Sequence, residues 1–261
     1  MNEDSKKFIL ELAKDNKRNY GSRGLDDFRN LIIEANVSKN AQGSAKVMLG
    51  KTIVIAGVKM EIGTPYPDTP NQGNLICSGE MNAIADNEFE PGRPGEDAIE
   101  LSRVVDRGIR ESGAIDFEKL CIAPGEKAWN VLVDFYILNN DGNLIDACGI
   151  AAIAALKLAR MPKVDEEGKI IHGEWSEQKV PFIKTPIPTT FFKIGDKIFA
   201  DADKEEQEAS EARLTVTTSS NEINALQKGG SGAFTIKEIE ECLAKSFKIK
   251  DKIVDVISKI K

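Results

Sequence analysis

The sequence predicts an α+β fold made of two similar units. Three observations carry that prediction: paired strand patterns joined by glycine turns, helical patterns that fall between and after the strands, and the same order of elements in both halves. At 261 residues the chain exceeds one ordinary domain, and a hydrophobic share of 41% is enough to bury a sizeable core. The composition shifts beyond Pro162, so residues 1–162 are expected to form a first domain. Residues 163–261 are expected to form a linker and a second domain.

The elements follow in order. Phe8, Ile9 and Leu12 share one face of a helix over 5–14, and a turn segment, NYGSRGLDD, comes next. FRNLIIEANV reads as a strand, and SAKVMLGKTIVIAGVKMEIG as a hairpin turning at Gly50-Lys51. TPYPDTPNQGN is a Pro/Gly/Asn loop, NLICSGEMNAIAD a strand, and EFEPGRPGED a second breaker-rich loop. From Glu96 to Ser112, Ala98, Leu101, Val104, Val105 and Ile109 mark one side of a helix. WNVLVDFYILNNDGNLIDA predicts a strand, an Asn-Asp-Gly turn and a short return, before a small-residue helix from Ala147 to Arg160.

In the second half, KVDEEGKIIHGEWSEQKVPFIKTPIP reads as linker plus edge strand. TTFFKIGDKIFADAD is a hairpin with Gly195-Asp196 at its turn, RLTVTTS a strand, and SNEINALQKGGSGAFT a strand and glycine loop. TIKEIEECLAKSFKIKDKIVDVISKIK closes the sequence as one or two amphipathic helices.

Composition excludes several classes. No apolar run approaches the ~20 residues of a membrane helix, and the first residues mix acids and bases unlike a secretory signal, so no membrane role and a cytoplasmic location are expected. Cys77, Cys121, Cys148 and Cys242 are widely spaced, which suggests neither a zinc ribbon nor a disulfide framework. A single histidine, His172, rules out a multi-histidine metal centre, and no cofactor is expected. The formal charge of −7 argues against sequence-blind coating of nucleic acid but permits a local basic site.

Four constellations could carry chemistry. Arg103, Arg107 and Arg110, three of only nine arginines, lie within about 60° on the helical wheel, opposite the apolar face. Such a row could meet successive phosphates. Its plain alternative is a solvated face with pairs Glu100–Arg103, Asp106–Arg110 and Arg107–Glu111. The acidic run 201–213, DADKEEQEASEAR, could hold a divalent cation but misses the calcium-loop spacing, so an exposed loop is the reading preferred. Gly229-Gly-Ser-Gly232 lacks the Gly-Lys-Ser/Thr ending of a phosphate loop and is expected to be a turn into a helix near Thr235. Asp146 is expected to cap the helix beginning at Ala147, closing that terminus to anions.

MEIGTPYPDTPNQGNLIC, PGEDAIELSRVVDRGIRESGAIDFEKLCI and VLVDFYILNNDGNLIDACGIAAIAALKLARMP resemble the RNase PH family, and more narrowly its non-catalytic branch in the archaeal exosome. RLTVTTSSNEINALQKGGSGAFT adds a weaker match, and NYGSRGLDDFR is similar to an arginine-bearing entry segment, with Gly21-Ser22 where many members have Asp-Gly. The resemblance implies tandem units like the second domain of ribosomal protein S5. It implies a ring of three heterodimers with a catalytic RNase PH-like subunit, S1/KH-type RNA-binding cap subunits and single-stranded RNA. Catalytic members cut RNA from the 3′ end by phosphorolysis.

Measured against that family, two catalytic aspartates correspond here to Gln207 and Arg213, and a phosphate-binding arginine corresponds to Asp146. Gln207 and Arg213 lack a carboxylate to act as acid or metal ligand, and Asp146 would repel phosphate. The resemblance therefore implies an inactive subunit that completes its partner's site, with Arg103, Arg107 and Arg110 binding RNA. An active RNase PH-type phosphorolytic exoribonuclease and a purely structural ring spacer are the rival expectations.

Overall fold

In the computed structural model, residues 1–90 and 92–260 are described; position 91, inside the expected 88–97 loop, and position 261, at the end of the expected terminal helix, lie outside them. Helix α1 (Glu3–Lys14) is capped by the Asn2 side chain, which accepts from the Ser5 N–H at 2.8 Å. Strands β1 (Leu31–Ala35), β2 (Gly43–Leu49) and β3 (Thr52–Gly63) form an antiparallel meander, and Gly50 takes a left-handed φ of 60° at the tight turn. Strand β4 (Asn74–Glu80) pairs in parallel with the long β6 (Lys127–Asn139), which the short β5 (Cys121–Ala123) also joins. The resulting order is β1-β2-β3-β6-β4.

Helix α2 (Glu96–Glu111) buries Ala98, Leu101, Val104, Val105 and Ile109, the residues its period selects. Helix α3 (Leu144–Leu158) is buried almost throughout, because it lies between the first sheet and the second. Its small residues permit that approach: a Cβ at Gly149 would collide with the Pro188 ring.

The segment after α3 departs from expectation. Strands β7 (Arg160–Val164) and β8 (Ile170–Lys179) pair as a separate hairpin, where a linker with one edge strand was expected. Gly168 closes its turn with φ 77°, and the polar residues that suggested a linker are the solvated faces of both strands. The second sheet orders β10-β9-β11-β12, from β9 (Ile187–Ile194), β10 (Lys197–Ala200), β11 (Ala212–Ser219) and β12 (Glu222–Gly230). A short helix, α4 (Lys204–Ala209), precedes β11. One long helix, α5 (Ile236–Ser258), covers the sheet and starts with a Thr235–Glu238 capping box.

A continuous core runs through both sheets, with α3 at its centre. The N-terminal helix folds back onto the second half, where Ile9 and Ala13 pack with Ile194, Phe199 and Ala209. Among the described residues no helix is long and apolar enough to cross a membrane, and no group of three His, Cys, Asp or Glu side chains could hold a metal ion.

Candidate RNA-binding groove and a neighbouring polar pocket

Helix α2 carries its arginines on the face away from the core. Arg103, Arg107 and Arg110 line one open groove with Tyr66, Ile76, Cys77 and two carboxylates, Asp106 and Glu111. Arg103 is exposed and has no hydrogen-bond or ion-pair partner among the described residues. Arg107 donates to the Gln227 side-chain oxygen at 3.2 Å. Arg110 forms an ion pair with Asp106 at 2.9 Å and donates to the Leu75 carbonyl at 3.0 Å. Burial works against the Arg110 charge, but the hydrogen bonds and charge of Asp106 outweigh it and hold its pKa above the ordinary value. Of the three surface pairs considered from the sequence, only Asp106–Arg110 forms among the described residues: Glu100 turns instead toward Arg213, and Arg107 toward Gln227.

The other expected positions gather on the far side of Glu100. Gln207 and Arg213 line a pocket of about 190 Å³ with Glu100, Asn143, Lys204 and Phe192. The Gln207 side-chain oxygen accepts from the Asn143 backbone N–H at 3.0 Å, so a neutral amide occupies one free donor where α3 begins. Arg213 forms an ion pair with Glu100, and Glu100 accepts from Gln227 at 3.1 Å. A chain of polar contacts thus runs from the pocket to the groove: Arg213, Glu100, Gln227, Arg107.

Asp146 differs from expectation. The helix begins at Leu144 rather than Ala147, and Asn143 stands at its N-cap with φ 55°, a left-handed conformation that asparagine tolerates well. The Asn-Asp-Gly signal was right about a turn, but Gly142 and Asn143 lead straight into the helix and no strand returns. Asp146 lies inside the first turn, wholly buried, and accepts from Asn143 Nδ2 at 2.8 Å, Thr190 N at 2.8 Å and Thr190 Oγ1 at 2.7 Å. Its carboxyl ties α3 to β9 instead of capping free helix N–H groups. Burial pushes its pKa up to about 7, against the three donated hydrogen bonds.

The acidic run is also corrected. Part of it folds as α4, and Asp201, Asp203 and Glu206 are buried where an exposed loop was expected. Arginines from the distant segment 18–29 draw them inward. Arg18 meets Glu206 at 2.7 Å with both side chains fully buried, and Arg29 meets Asp201 at 2.7 Å. Arg23 reaches Asp201 at 3.4 Å, and Asn143 Nδ2 donates to Asp201 at 2.9 Å. Burial pulls the Arg18 pKa down, against the attraction of Glu206. For Arg29, the hydrogen bonds and charge of Asp201 overcome the burial penalty and raise its pKa. Sequence reading missed this network, and the only signal was the matching of an arginine-rich segment by an acidic one far along the chain.

Residues 27–162 match the model of the 3′ exoribonuclease family, domain 1, and residues 184–249 match domain 2 of the same family. The chain belongs to the RNase PH family. Its α+β fold is that of two such domains. Within the family it is similar to the exosome complex component Rrp42 of Thermococcus onnurineus, 44% identical over 95% of this chain and 94% of that protein. It is also similar to Rrp42 of Methanosarcina mazei, 46% identical over 91% and 87%. Among solved RNase PH structures, a chain of an Archaeoglobus fulgidus exosome with RNA bound to the active site superposes with a TM-score of 0.90, 41% identity and 97% coverage of both chains.

Proposed function

We propose that this chain is a non-catalytic ring subunit of an archaeal exosome, a cytoplasmic 3′-to-5′ phosphorolytic RNA-degrading complex. It holds single-stranded RNA on α2 and completes the active site of a catalytic RNase PH-like partner. In this reading three heterodimers form the ring, S1/KH-type subunits cap it, and residues 1–162 and 163–261 are the two domains of the chain. The observation that carries the reading is the contrast across Glu100. On one side Gln207 and Arg213 line a pocket in which an internal hydrogen bond and an ion pair already engage them. On the other, Arg103, Arg107 and Arg110 open onto solvent.

That contrast divides the labour. Phosphorolysis needs a bound phosphate and a group to manage the proton, and neither Gln207 nor Arg213 offers a carboxylate that could take up and return one. The arginine row needs neither. Guanidinium groups bind phosphodiester oxygens and fix the strand, and positioning alone can remove several kcal/mol from a barrier elsewhere.

The test is co-purification with a catalytic RNase PH-like subunit, followed by phosphate-dependent RNA decay by each chain alone and by the pair. Decay by the pair well above that of the partner alone, with none from this chain, is expected. Nucleoside diphosphate release by this chain alone would favour an active phosphorolytic enzyme, and a pair no faster than the partner would favour a spacer.

A further inference from the structure

The arginine groove ends at an aromatic ring. Tyr66 is 48% exposed and lines the groove that holds Arg103, Arg107 and Arg110, with Ile76, 41% exposed, beside it. Its ring lines the same groove as the Arg110 guanidinium. The backbone beneath it is stiff. Pro65 and Pro67 flank the residue, and the Tyr66 carbonyl accepts from the Thr69 N–H at 3.0 Å. A second turn bond joins Gln72 N–H to the Thr69 carbonyl at 3.1 Å, and Gly125 N–H anchors the Pro70 carbonyl at 2.7 Å. The tyrosine hydroxyl makes no hydrogen bond among the described residues.

An exposed tyrosine alone is ordinary. This one stands at the end of a row of cations spanning about 10 Å along α2. A cationic track with an aromatic face is the composition that binds single-stranded nucleic acid, phosphates on the charges and a base on the ring. We infer that Tyr66 is a base-stacking contact for the single-stranded RNA whose phosphates the three arginines hold. The inference deepens the proposed function and rests on it. It adds a salt-independent part to an otherwise electrostatic grip, and it requires the strand to be unpaired here, since a base inside a duplex offers no free face. Because every base has a π-face, the contact tolerates any sequence. The stiff loop means little ordering is needed when RNA arrives.

The experiment compares a labelled oligoadenylate with an abasic oligomer of the same length and charge, bound to this chain assembled with its catalytic partner. Tyr66→Ala is expected to weaken oligoadenylate binding roughly 5- to 150-fold while leaving abasic binding and the salt slope unchanged. Tyr66→Phe and Tyr66→Trp should keep the wild-type preference for bases. Equal loss on both oligomers, no loss on either, or a Tyr66→Phe variant as weak as Tyr66→Ala would each overturn the inference. The arginine reading is judged separately: a triple arginine-to-alanine variant should weaken both oligomers and lower the salt slope, whatever Tyr66 does.

Discussion

Two groups of three arginines sit in this chain, each within a dozen residues, and meet opposite fates. Arg18, Arg23 and Arg29 come from an irregular segment and turn inward, onto Glu206 and Asp201. Arg103, Arg107 and Arg110 come from a regular helix whose other face is apolar, so the core holds the helix and leaves their charges outside. The difference teaches that an arginine's role follows from what its own element must bury. The first group joins the N-terminal segment to the second half; the second faces an open groove, where Arg103 keeps all its donors, Arg107 shares one with Gln227 and Arg110 is paired with Asp106.

The largest expected effect lies in the inward group. Glu206→Ala leaves Arg18 buried without its carboxylate, and breaking such a pair costs about 3–5 kcal/mol, read as a lowered denaturant midpoint. If stability barely changed, the claim that these arginines bind the two halves together would fail.

Next comes the acid beside that network. The Asp146 pKa is raised to about 7, so its contribution to stability is fully present below its unfolded value near 4 and is lost as pH rises through 7. Asp203, raised to about 6 chiefly by burial, acts in the same direction. Asp146→Asn should flatten the decline between pH 4 and 7 by up to a few kcal/mol, measured as unfolding free energy against pH. The same slope in variant and wild type would assign the decline to other groups.

The smallest effect sharpens the contrast from the outward side. Arg103→Ala removes an exposed guanidinium with no partner among the described residues and should change unfolding free energy by less than about 0.5 kcal/mol. A loss comparable to that of Glu206→Ala would make the groove arginines structural.

The regular elements were legible because each obeys a local rule. The Gly50 and Gly195 turns, the apolar face of α2 and the Thr235 cap are all fixed within a few residues. The start of α3 was misplaced because Asp146 looks like a cap locally, while its true partner is Thr190, 44 residues away. The 201–213 run was misread for the same reason: its partners are Arg18 and Arg29, over 170 residues upstream. The arginine row could be found from spacing, but its neighbour Tyr66 could not, since a Pro-flanked loop gives no sign of which groove it borders.

One titration bears most directly on the division between a gripping subunit and a cutting partner. RNA affinity of the assembled complex is measured over a range of salt, for the wild type and for Arg103→Ala, Arg107→Ala, Arg110→Ala combined. With three phosphate contacts removed, the slope of log affinity against log salt should shrink by about 2 while the ring stays assembled. An unchanged slope and unchanged affinity would mean that these guanidinium groups never touch the polymer.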